Sequence, residues 1–108
     1  MAKLEQVLHG DFDEILSRIQ NGVMGGSISA SLEDYSDFSD GQSRVSVRVF
    51  ERYSWIGSNR VSLSVTLYQN AAGEIRISAI TSGGSQAMFY KINTFGEAAF
   101  LDKLRQIL

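Results

Sequence analysis

Two clusters of glycine and hydroxyl side chains offer the most chemistry. Ser82, Gly83, Gly84 and Ser85 close a strand-like run, and Gly25, Gly26 and Ser27 follow a helix-like one. Glycines beside hydroxyls are the raw material of an anion cradle, because backbone N–H groups can converge on a phosphate. The spacing departs from the full device, which ends in Gly-Lys-Ser/Thr. Gln86 follows Ser85, and Lys91 lies beyond an apolar stretch from Ala87 to Tyr90. A connector between strand and helix is the simpler reading of 81–97. The two Gly-Gly-Ser loops still form the candidate ligand site. They would serve an anion, with a helix–sheet groove as the place for a small apolar molecule.

Other chemistries find too few residues. His9 is the one histidine and there is no cysteine, so neither a His/Cys metal cluster nor a thiol nucleophile can be assembled. No serine or carboxylate stands in a triad arrangement with His9. Asp34, Asp37 and Asp40 are spaced by three, whereas a calcium loop needs ligands at alternate positions and a closing glutamate. A solvated hairpin turn is expected there. Glu51 and Arg60 are expected to pair across a hairpin, beside Tyr53 and Trp55. No cofactor, metal or catalytic residue is predicted.

The elements that would carry these residues are legible in the pattern. Residues 3–9 read as a strand with Leu4, Gln6 and Leu8 on one face, stopped by Gly10. Asp11 caps a helix in which Phe12, Ile15, Leu16, Ile19 and Val23 form the apolar stripe, with Gly22 as its C-cap. Four strands follow, each alternating with period two. Their expected core sides are Ile28, Ala30 and Leu32; Val45, Val47 and Val49; Val61, Leu63, Val65 and Leu67; and Ile75, Ile77 and Ala79. Short connectors, 36–42, 55–59 and 70–73, suit hairpins. A last helix starts at Thr94 with Glu97 as capping partner, and buries Phe100, Leu101, Leu104, Ile107 and Leu108.

The predicted fold is therefore α+β: a two-layer β-α-β-β-β-β-α domain spanning 1–108, with a curved antiparallel sheet and two helices on one face. The sheet's other face is the unusual feature. Ser29, Ser31, Ser46, Ser62, Ser64, Thr66 and Ser78 are expected there, rimmed by Arg44, Arg48, Arg76, Phe50 and Tyr68. Solvated faces usually carry more lysine and glutamate. Small hydroxyl residues with arginine and tyrosine at the rim suit an interface instead. The predicted interface residues are Ser46, Arg48, Ser62, Ser64, Thr66, Tyr68, Arg76 and Ser78.

Composition narrows the partners. A net charge of −2 opposes nucleic acid as the main partner, and no apolar run reaches the ~20 residues of a membrane span. The cysteine-free chain reads as cytoplasmic.

The stretches "ERYSWIGSNRVSLSVTL" and "ISAITSGGSQAMFYKINTFGEAAFL" resemble a family of small bacterial proteins, a domain of unknown function seen mainly in Gram-positive anaerobes. The resemblance covers nearly the whole chain and implies a stand-alone bacterial domain. It carries no activity, so no catalytic residue follows from it. In topology alone the strand order resembles TBP-like and helix-grip folds. The expected function is a non-enzymatic domain acting by association, above all with itself, through the hydroxyl-rich face.

Overall fold

A computed structural model describes residues 2–25, 30–54, 59–83 and 104–108, with backbone only at Ser54 and Asn59. It is an α+β fold in the predicted order. Strand β1 (Ala2–Leu8) leads into helix α1 (Phe12–Gly25). Strands β2 (Ser31–Asp40), β3 (Ser43–Ser54), β4 (Asn59–Gln69) and β5 (Ile75–Gly83) follow. Residues 104–107 are helical and are called α2. The five strands form one antiparallel sheet in the order β1-β5-β4-β3-β2. The last four strands are a meander, and α1 carries the chain from one sheet edge to the other.

Local chemistry explains the boundaries. Gly10 has φ 131°, a conformation that costs glycine little, and it turns the chain out of β1. Asp11 caps α1: its Oδ2 accepts a hydrogen bond from the Glu14 amide at 3.0 Å. Between β4 and β5, Asn70 Oδ1 accepts from the amides of Ala72 (3.0 Å) and Glu74 (2.9 Å), which closes the turn.

One core lies between the sheet and the helices. Phe12, Ile15, Ile19 and Val23 of α1 meet Leu4, Leu8, Phe50, Val61, Leu63, Val65, Leu67, Ile75, Ile77 and Ala79 of the sheet. Leu104 of α2 is fully buried among them, and Ile107 and Leu108 pack beside it. Each large aliphatic or aromatic group removed from water here contributes about 1.5–3 kcal/mol. Thr81 is one of the buried polar residues, with Ser46 and Arg48. Its hydroxyl accepts from the Ala2 amide (3.2 Å) and donates to the Ala2 carbonyl (3.3 Å), so its burial leaves nothing unpaired.

Three expectations are corrected. Helix α1 does not stop at Gly22 but runs to Gly25. Gly22 is instead a point of close approach: a Cβ there would lie 2.4 Å from Ile107 Cδ1. Strand β2 is not a short run ending near Glu33. It extends through Asp34, Asp37 and Phe38 to Asp40, so the acidic stretch is strand and the turn is only Gly41 and Gln42. Ile28 and Ser29 lie outside the described residues.

The third correction concerns β3, whose two faces are reversed. Phe50 pairs with Leu63, Arg48 with Val65 and Ser46 with Leu67, and paired residues share a face. Phe50, Arg48 and Ser46 are therefore buried on the helix side, and Val45, Val47 and Val49 turn away from it. Alternation could not decide this, because both faces of β3 carry apolar groups. The ladder to β4 decides it, by setting the largest ring against the core.

Candidate interaction face

The sheet face turned away from α1 and α2 is covered by no other described element. Its residues follow from the register. Across the sheet from β2 to β1, one row runs Phe38, Val45, Tyr68, Arg76, Val7. The next runs Ser36, Val47, Thr66, Ser78, Glu5, and a third runs Asp34, Val49, Ser64, Ile80, Lys3. Of the predicted interface residues, Ser62, Ser64, Thr66, Tyr68, Arg76 and Ser78 do share this face. Ser46 and Arg48 do not, and neither do the expected rim residues Arg44 and Phe50. The valines of β3 take their place.

The face is therefore mixed rather than hydroxyl-rich throughout. A central row of small hydroxyls on β4 lies beside a row of valines on β3. Among the described residues, five of the seven large hydrophobic ones that stand exposed are here: Val7, Phe38, Tyr53, Tyr68 and Ile80, with Phe38 at 67%. The charges lie at the margin, and several neutralise each other. Arg60 pairs with Glu51 (3.0 Å) as expected, Arg76 with Glu74 (3.0 Å) and Lys3 with Glu5 (3.6 Å). At one end the Ser62 and Ser82 hydroxyls share a hydrogen bond of 2.8 Å. At the β1 side a groove of about 520 Å³ opens, lined by Glu5, Val7, Thr66, Tyr68, Arg76 and Ser78 among others.

The glycine loops look different. Gly83 has φ 119°, and a Cβ there would lie 2.5 Å from the Arg60 carbonyl oxygen. Glycine is needed because β4 runs directly against it, which is a packing reason. Gly25 ends α1, and a Cβ there would meet nothing within 4 Å. Gly26, Ser27, Gly84 and Ser85 lie outside the described residues, as do Trp55, Thr94 and Glu97. The three aspartates of β2 do not converge: Asp37 is on the helix side, Asp34 and Asp40 on the other. Among the described residues, no group of three or more His, Cys, Asp or Glu is placed to hold a metal. No described helix is long and apolar enough to cross a membrane.

On the helix side, a polar layer that sequence reasoning missed ties α1 to the β2 edge. Buried Arg48 donates from Nε to Gln20 Oε1 (3.0 Å) and from Nη1 to Asp37 Oδ1 (2.9 Å) and the Val47 carbonyl (2.9 Å). Ser46 also donates to Asp37 (2.7 Å), and the Tyr35 ring lies 5.3 Å from the guanidinium. The hydrogen bonds from Ser46 and then Arg48 hold the Asp37 carboxyl below its ordinary pKa. Arg44 forks onto Asp13 (3.1 and 2.8 Å) and covers the Phe12 ring at 4.1 Å. The hydrogen bond from Arg44 likewise lowers the Asp13 pKa. The described partners account for most of the Arg48 donors, which is how a buried arginine is tolerated. The clue was Arg48 itself, one residue from valines on both sides.

Comparison with protein families matches residues 1–108, the whole length, to one described as a family of unknown function, DUF6054. The chain belongs to DUF6054. Comparison with curated proteins gives no match.

Proposed function

We propose that this DUF6054 domain acts by self-association through its outer sheet face. The observation that carries this is the face's anatomy: small and aliphatic residues at the centre, and charges at the margin. Interfaces have that arrangement, with charge depleted at the core. Size supports the reading. Five strands at ~4.8 Å spacing and about ten residues in length offer roughly 800 Å², what one partner buries in a standard interface. Small central side chains let a second sheet approach to the ~10 Å of sheet-on-sheet packing. A second copy suits much of the margin, because Lys3–Glu5, Arg60–Glu51 and Arg76–Glu74 each neutralise their own charges, which leaves Asp34 and Asp40 at the β2 edge to be met by the partner.

Light scattering over a concentration series tests the proposal. Twice the monomer mass of 11.9 kDa is expected. Ser64→Arg, which sets a long charged group at the centre of the face, should return the protein to monomer with its circular dichroism unchanged. A wild-type monomer at millimolar concentration would refute the proposal.

A further inference from the structure

We infer that two copies meet about a two-fold axis running along β4, with Phe38 of each copy seated in the β1-side groove of the other. This rests on the self-association reading and adds its register. Strand β4 is the third of five, so a two-fold along it sets β3 over β5 and β2 over β1 of the second copy. The pairing registers then select what meets. Phe38 and Val7 lie in the same row, two strands to either side of β4. Rotation about β4 carries Phe38, the most exposed of the described large hydrophobic residues, onto the partner's Val7 and the adjoining groove. The same operation lays Val49 over the partner's Ile80, burying an otherwise exposed side chain.

Charge separates this axis from the alternative. Asp34 and Lys3 are also in one row at opposite edges, so each copy's Asp34 comes to the partner's Lys3. A two-fold across the strands would set β2 on β2. That would bring together the Asp34 and Asp40 carboxylates of both copies, which make no ion pair among the described residues. Like charges so placed oppose association.

The chain has no cysteine, so an introduced thiol is unique. Phe38→Cys and Val7→Cys are made separately, both at exposed positions, then mixed and treated with a bismaleimide of about 8 Å reach. Cross-linked dimer is expected from the mixture and not from Phe38→Cys alone, whose two thiols would stand at opposite edges, roughly 20 Å apart at ~4.8 Å per strand. In parallel, Asp34→Lys should raise the dimer dissociation constant about ten-fold, and Lys3→Asp in the same chain should restore it. Dimers by light scattering with no mixed cross-link and no rescue would overturn this axis while leaving self-association standing. A monomeric wild type would overturn both.

Discussion

Gly22→Ala is the sharpest test of how the helices meet. Inside a helix, alanine for glycine ordinarily stabilises by up to about 1 kcal/mol. Here the added methyl would lie 2.4 Å from Ile107 Cδ1, 2.5 Å from Cγ1 and 3.1 Å from Cγ2. Three atoms of one side chain are in the way, so Ile107 must move as a body rather than flick its tip. Forcing a methyl into an occupied site costs roughly 1–3 kcal/mol. The net expectation is destabilisation of about 1 kcal/mol. In an Ile107→Ala background the obstacle is gone, and the same substitution should stabilise by about 0.5–1 kcal/mol. Urea unfolding of the four proteins at one fixed low concentration measures the cycle, with unchanged m-values as the check on two-state comparison. A coupling of at least about 1 kcal/mol is expected. Equal stabilisation by Gly22→Ala in both backgrounds would refute the contact between α1 and α2.

Two further outcomes concern the polar layer at the β2 edge. Arg48→Met should destabilise by roughly 2 kcal/mol in urea unfolding, because it removes charge-assisted hydrogen bonds to Gln20 and Asp37. Half-exposed Asp37 recovers some of that from water, so adding Asp37→Asn should cost less than it does in the wild type. Asp37 has its pKa lowered by folding, so its contribution is present above its ordinary value of 3.8 and is lost as pH falls through the folded value. Wild-type stability should decline between pH 5 and pH 3 more steeply than that of Asp37→Asn; parallel profiles would exclude the Asp37 network as the cause.

Much of the fold is legible in the sequence. Period-two runs on β4 and β5, the Asp11 cap and the stripe from Phe12 to Val23 each depend on neighbours in the chain, and each appears as predicted. The Glu51–Arg60 pair was equally local. The composition of the outer face was partly legible: the alternation on β4 and β5 placed Ser62, Ser64, Thr66, Tyr68, Arg76 and Ser78 on it, while Ser46 and Arg48 of β3, expected there too, lie on the helix side.

What the chain order determines by itself is therefore the kind and sequence of elements, because hydrogen-bonding periods and caps act over a few residues. Tertiary structure alone decided which side of β3 faces the helices, why Gly22 and Gly83 are glycines, and where Arg48 finds its partners. Those questions turn on atoms distant along the chain: the Leu63 side chain opposite Phe50, the Ile107 side chain above Gly22, the Arg60 carbonyl beside Gly83, and the Gln20 and Asp37 acceptors on neighbouring elements. A strand with apolar groups on both faces holds no preference of its own, and only the ladder to its neighbour makes the choice.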